Sequence, residues 1–385
     1  MRIVPFLARM ESYARPYAAS YLPRKLVVSQ YSKSRLWFLK RLSKEKPPEP
    51  YVPPEDLERT LWGIKFRAPL FNAAGMFKNG ESYDVVAAQG AGAYLGGTGT
   101  YNPRIGNEKN GIRLPFAPYP LSGSASNWLG IPNDGDEINS ERARKIVGRK
   151  VDGCPVGWSV MPSPDLQPKE KLKRLVDSAF LYENAGVYFL EINESCPNTG
   201  EGKPQYNELA SRLRYLKENF LDQRSRRLPV IPKFSNDTDT SQVGDLVDLL
   251  IELDFDGVNF GNTSTQYSRR REMIDERERH LYDYFTTDKA FGVGGGVSGR
   301  PLKQSSLSLC RRAVNHLDHV KPSKEFHVIR TGGIEGWHDI TASNPSSINP
   351  SNYFVELHQW FSGYFENFAQ HGHGLYKHVF EELTH

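Results

Sequence analysis

Eight short apolar runs, the helical patterns between them and a glycine pair closing the seventh run predict an α/β fold. Strands and helices in such alternation build a parallel sheet covered by helices, and eight pairs close into a (β/α)8 TIM barrel. A basic stretch ahead of the first run adds an N-terminal helical extension. The runs are "PLFNAAG" (69–75), "AYLGGTGT" (93–100), "VGWSVM" (156–161), "VYFLEIN" (187–193), "PVIPKFS" (229–235), "GVNFGNT" (257–263), "HVIRTGG" (327–333) and "YFVELHQ" (353–359). Patterns such as "KEKLKRLVDSAFLYENAG" and "SQVGDLVDLLIELD" separate most of them. A doubly wound open sheet is the other arrangement this alternation allows.

From the N-terminus, residues 1–46 read as short helical pieces broken at Pro16 and Pro23. Their basic residues outnumber Glu11 and Glu45 by about nine, in a chain whose net charge is only +4. "SKSRLWFLKRL" mixes Leu36, Trp37, Phe38 and Leu39 with Lys33, Arg35, Lys40 and Arg41. That mixture suits a bilayer interface, a solvated charged face, or an arginine-rich targeting segment. "EKPPEPYVPPED" is stiff with proline, so residues 47–60 read as a linker and 61–385 as the barrel. The connections 101–155 and 264–300 exceed ordinary loop lengths and are expected to be functional.

Composition excludes several classes. Cys154, Cys196 and Cys310 are odd in number and far apart, against a disulfide framework and without zinc spacing, so no metal is expected. No run approaches the roughly 18 uninterrupted apolar residues of a membrane-spanning helix. Outside the first 46 residues the chain is slightly acidic, which does not support nucleic-acid binding by the main body.

Most of the apolar runs finish in polar residues, and in a barrel those ends form the mouth where chemistry happens. Asn72, Lys78, Thr98, Ser159, Asn193, Lys233, Asn262 and Thr263 stand there. Lys233 places an ammonium inside an apolar run, where an unpaired charge is costly. Asparagines both donate and accept, so several aimed at one mouth suit a flat heterocycle with alternating carbonyls and N–H groups. "GVGGGVSG" (292–299) and "RTGGIEG" (330–336) suit backbone cradling of a phosphate. Cys196, in "NESCPNTGEGKPQ" (193–205), could be filler, a ligand or a working base on local sequence alone.

The motifs "AAGMFKNGE", "GGTGTYNPRIGN", "IRLP", "SNWLGIPNDG", "INESCPNTGEGKPQ", "PKFSNDT", "DGVNFGNTST", "GGVSGRPL" and "RTGGI" resemble, in order and spacing, those of dihydroorotate dehydrogenases. The resemblance implies an FMN-bound barrel that oxidises (S)-dihydroorotate to orotate in pyrimidine biosynthesis. It assigns Ala73, Ala74 and Gly75 to the flavin, with Thr98, Asn127 and Ser159 around its ring and ribityl chain, Lys233 at its N1/O2 edge, and Gly261, Gly296 and Gly333 near the ribityl and phosphate groups. A last phosphate contact would come from the backbone near His358 and Gln359, where this sequence departs from the family pattern. Lys78, Asn127, Gly130, Asn193, Asn198, Asn262 and Thr263 would hold orotate, with Lys78 and Asn193 also close to the cofactor. Cys196 takes the place of the base that removes the C5 proton while hydride leaves C6 for FMN. Pro197 would stiffen that turn.

The chain mixes two branches of that family. "ESCPNTGEGKPQ" and "GIPNDG" resemble a soluble branch that reduces fumarate or NAD; the basic N-terminal lobe and Arg113 resemble a membrane-associated branch that reduces quinone. The lobe favours quinone and a peripheral site on the cytoplasmic face of a membrane. A cytoplasmic enzyme, a mitochondrial one with residues 1–46 as targeting segment, or a flavoprotein adaptor without turnover are the alternatives.

Overall fold

The computed structural model describes residues 3–194, 206–344 and 351–382. Eight strands, numbered here along the chain, form one sheet: β1 (Leu70–Asn72), β2 (Tyr94–Gly99), β3 (Val156–Val160), β4 (Phe189–Asn193), β5 (Val230–Phe234), β6 (Gly257–Phe260), β7 (His327–Thr331) and β8 (Val355–Trp360). Consecutive strands pair in parallel from β2 through to β8, and β8 pairs with β1. This is the predicted (β/α)8 arrangement, and every strand falls within a residue or two of an apolar run.

The seam between β1 and β2 is closed by a side chain. Asn72 Nδ2 donates to Leu95 O at 2.7 Å, Leu95 N donates back to Asn72 Oδ1 at 3.3 Å, and Gly92 N reaches Leu70 O at 2.9 Å. Asn72, expected at the mouth, is therefore spent on backbone groups that a short first strand leaves without a ladder partner.

Side chains alternate across each strand. Outward residues such as Leu190, Ile192, Val230, Val258 and Val328 pack with Leu213, Leu246 and Leu309 of the surrounding helices. Inward residues form layers. At the bottom, Phe71, Leu95, Phe189, Ile231, Ile329 and Leu357 pack against Trp62 and Phe66. The latter two come from the hairpin Arg59–Leu61 and Ile64–Phe66, which plugs that end. The next layer up is polar: Glu191, Lys233, Asn259, Thr331 and Gln359, all buried.

The two long connections meet. Phe116–Tyr119, Ser124–Asn127 and Gly296–Gly299 form a three-stranded antiparallel sheet over the mouth, with Asn127 opposite Gly296.

The N-terminal lobe consists of α1 (Ile3–Tyr21) and α2 (Arg24–Leu42). Pro16, predicted to break the first helix, sits inside it, and the break falls at Pro23 alone. Packing outweighs the lost N–H: Val4 and Ala8 join Phe368 in one core cluster, and Phe38 of α2 meets Phe365 and Phe368 edge-on at 5.9 and 5.6 Å. α2 lies against the mouth sheet, where Ser32 Oγ accepts from Phe116 N at 3.0 Å. Away from the barrel, α1 exposes Ile3, Met10, Tyr13, Tyr17 and Tyr21, the last at 72%. Among the described residues no helix is long and apolar enough to cross a membrane.

Candidate active site

One cavity opens at the C-terminal ends of the barrel strands, under the mouth sheet. Ala73, Ala74, Gly75, Lys78, Thr98, Asn127, Asn193, Lys233, Asn262, Thr263, Gly333 and Gln359 line it, so twelve of the residues singled out from sequence share one space.

Its floor is a closed polar network. Lys233 Nζ lies 3.0 Å from Gln359 Oε1 and 3.4 Å from Glu191 Oε1. Glu191 Oε2 accepts from Asn259 Nδ2 at 2.9 Å and Gln359 Nε2 at 2.8 Å. The Thr331 hydroxyl stands 2.9 Å from Asn259 Oδ1 and 3.0 Å from Gln359 Oε1. An ammonium and a carboxylate exposed by 4% and 2% persist this deep because each has a counter-charge and further hydrogen bonds.

Above the floor runs a row of hydroxyl and amide groups. Ser159 Oγ is 3.0 Å from Thr98 Oγ1, which accepts from Asn193 Nδ2 at 3.1 Å; Asn193 Oδ1 accepts from Asn262 Nδ2 at 3.2 Å. The next hydroxyl, Thr263 Oγ1, is buried without a partner among the described residues. Such a group calls for a ligand atom or water.

The remaining predicted site residues stand off the cavity wall. Ser159 backs Thr98. Gly130 packs on Asn107, and its carbonyl accepts from Arg104 Nε at 3.1 Å. Gly261 is glycine because a Cβ would fall 1.5 Å from Thr331 O, and Gly296 because one would meet Thr263 Oγ1 at 2.0 Å. Both shape the backbone around neighbouring wall residues. His358 points outward, its Nε2 3.0 Å from Ser343 Oγ, and burial followed by the Arg330 charge pushes its pKa down to about 3. Neither it nor its side chain borders the cavity, since the period of two sends Gln359 inward instead. Arg113 is exposed and does not border this cavity. Cys196 and Asn198 lie outside the described residues. Cys154 and Cys310 are buried among apolar groups, which pushes their thiols up to about 11 and about 12, as inert packing residues.

Sequence reasoning missed two groups. Phe361, Ser362 and Gly363 carry the cavity wall to the start of the helix Ser362–His371, opposite Gly332 and Gly333. The signal was the small pair in "WFSGYF" directly after the last strand. The second group joins lobe to barrel. Arg15 Nη1 pairs with Glu366 Oε1 at 2.6 Å, and Arg15 also grips Glu11, while Glu366 borders the cavity. Burial lowers the Arg15 pKa, but Glu11 and Glu366 more than offset that and raise it. Arg35 has no such help: its Nε is buried without a partner among the described residues, and burial lowers its pKa to about 10.

Residues 56–343 match the family model for dihydroorotate dehydrogenase. The chain belongs to the dihydroorotate dehydrogenase family. It is thus an oxidoreductase of that family, as its motifs led one to expect. Curated dihydroorotate dehydrogenases named for quinone are similar to it. The Photobacterium profundum protein is 30% identical over 336 residues, covering 86% of this chain and 87% of that protein. The Aeromonas salmonicida protein is 30% identical over 281 residues, covering 72% and 75%. The same barrel occurs in the dihydroorotate dehydrogenase of Eimeria tenella solved with ferulenol, with a TM-score of 0.70 at 21% identity over 91% of this chain and 90% of that one.

Proposed function

We propose that the chain oxidises (S)-dihydroorotate to orotate with FMN in the mouth cavity and a quinone as electron acceptor. The observation that carries the reading is the meeting, in one cavity, of a buried Lys233 and the amide row Asn193–Asn262 beside an unpartnered Thr263 hydroxyl.

The residues present fit a flavin nucleotide. Gly75 has a φ of +92°, and a Cβ there would stand towards Phe361 and Lys78 at 3.8 and 3.9 Å, so a side chain would project into the cavity. Ala73, Ala74, Gly75, Thr98, Asn127 and Lys233 would hold the ring and ribityl chain, with the phosphate between Gly332–Gly333 and residues 361–363. FMN, when bound, supplies the hydride acceptor. Lys78, Asn127, Asn193, Asn262 and Thr263 would bind the substrate's carboxylate, carbonyls and N–H groups, with Asn198 added from sequence. Cys196, at an ordinary thiol pKa of about 8.5, would take the C5 proton once a closed site or nearby cation favours its thiolate. Lys233 would stabilise negative charge on the ring edge from the buried floor of the site.

For the acceptor, the similar proteins named for quinone and the two-helix lobe favour quinone. The stripe Ile3, Met10, Tyr13, Tyr17 and Tyr21 on α1 would rest on the surface of a bilayer, and the Arg15–Glu366 pair ties that helix to the cavity's edge. The cysteine motif favours fumarate or NAD. The deciding experiment is anaerobic reduction of the purified yellow protein with dihydroorotate, followed by reoxidation. Quinone should reoxidise it fastest; equal or faster reoxidation by fumarate or NAD would reject the quinone reading, and flavin that dihydroorotate does not bleach would reject the reaction itself.

A further inference from the structure

Lys233 does not stand alone beneath the proposed ring site, and its partner is the one charged group in the floor that neither the family motifs nor the cavity wall draws attention to. Glu191 does not line the cavity. It sits two residues before Asn193 on β4, facing inward as the strand's period requires, and is 2% exposed. Three hydrogen-bonding groups fix it: the Asn259 and Gln359 amides donate to Oε2 and Lys233 Nζ to Oε1, while Gln359 Oε1 in turn accepts from Lys233 Nζ. Both carboxylate oxygens are therefore occupied from within the barrel. A neutral side chain such as glutamine would fill the same volume, so packing does not demand a charge here. A carboxylate in such a place acts on whatever field the lysine projects upward.

We propose that Glu191 is a positioning residue that both holds the Lys233 ammonium at the cavity floor and partly cancels its charge, setting how readily the flavin above accepts electrons. This rests on the proposed FMN site. Two opposite charges 3.4 Å apart project much less field than one. Removing the negative member leaves a bare ammonium under the ring, which favours the reduced, anionic flavin. The sign is thus opposite to that of a lost catalytic group: the variant should be easier to reduce and slower to pass its electrons on.

The test measures the equilibrium between oxidised and reduced flavin in the FMN-loaded protein against a redox dye under anaerobic conditions. Glu191→Gln should shift that equilibrium towards reduced flavin at least tenfold, about 30 mV for a two-electron couple. Glu191→Asp keeps the charge and should stay within about threefold of the parent. If Glu191→Gln leaves the equilibrium unchanged, or if the two variants shift it alike, Glu191 is packing and the proposal is overturned. Should Glu191→Gln not fold, the neutral pair Lys233→Gln/Glu191→Gln is compared with Lys233→Gln. The pair must favour reduced flavin at least tenfold more than the single variant, and equality overturns the proposal. A colourless parent protein would instead reject the FMN site itself, a failure distinct from a yellow protein with an unmoved equilibrium.

Discussion

Two regions of this molecule bury charge, and they do so by different rules. In the barrel floor, Lys233 and Glu191 are 4% and 2% exposed, and every partner is a strand residue held by its neighbours. In the lobe, Arg15 is 13% exposed but its partners Glu11 and Glu366 stand at 39% and 35%, and Arg35 has a buried Nε with no partner among the described residues. The floor's charged pair is almost fully buried at the base of the cavity; the lobe's is half-wet at its edge. On the function proposed above, the difference implies that the reducing half of the reaction would depend on the barrel, and delivery of electrons outward on the lobe.

The largest expected effects test the first half of that division. Cys196→Ala should keep FMN but slow dihydroorotate-driven flavin reduction at neutral pH by about 10²–10⁴-fold, the range for a lost general base. Stopped-flow bleaching measures it, and an undiminished rate would remove Cys196 from the mechanism. Lys233→Met should slow the same step far more than it weakens orotate binding, and should lower stability by about 3–5 kcal/mol because it strands Glu191. Equal effects on reduction and on orotate affinity would contradict the assigned role.

A third buried charge stands between these cases. Asp136, below the mouth, accepts from Tyr182 Oη at 2.7 Å and has no cation beside it among the described residues. Burial raises its pKa from 3.8 to about 6, while hydrogen bonds from Ser178 and Tyr182 pull the other way. Between those two values the folded chain holds a proton that the unfolded chain has released. Its contribution is therefore complete below about pH 4 and lost as pH rises through about 6. Asp136→Asn cannot ionise, so relative to the parent it should gain up to about 3 kcal/mol between pH 4 and pH 8. Urea midpoints at the two pH values decide it; a constant difference would mean that folding does not shift the carboxyl's pKa.

The second half of the division is tested on α1. Tyr13→Glu with Tyr17→Glu places two charges on its exposed stripe. Binding to anionic vesicles and reoxidation by vesicle-held quinone should each drop about tenfold, while anaerobic reduction by dihydroorotate is unchanged. A matching loss in the reduction step would erase the distinction between lobe and barrel.

Much of the barrel was legible in the sequence because its signals are local. Short apolar runs separated by helical patterns located all eight strands, and strand-end asparagines and Lys233 pointed to the mouth. What escaped was set by contacts between distant segments. The use of Asn72 to close the seam depends on a short β1, and the mouth sheet depends on two loops separated by more than a hundred residues pairing with each other. Glu191 reads as just another residue of an apolar run until strand direction and its three partners from other strands are known. His358 and Gln359 shared one expectation, though adjacent strand residues face opposite ways. The unbroken α1 was hidden because Pro16 signals a break locally, whereas packing against the helix Ser362–His371 is a tertiary effect.

The smallest effect asks whether the lobe's charges work like the floor's. Arg15→Met removes the pairs to Glu11 and Glu366 while keeping the aliphatic stem against the barrel. Both glutamates are more than a third exposed or nearly so, so water can replace the arginine, and the loss in stability should stay below about 1 kcal/mol. In the floor, Lys233 and Glu191 are almost wholly buried, so the loss there should be larger. Parallel urea titrations of Arg15→Met and Lys233→Met therefore compare the two regions directly. Losses of equal size would show that the lobe closes over its charges as tightly as the barrel does, and the half-wet edge proposed for acceptor access would have to be given up.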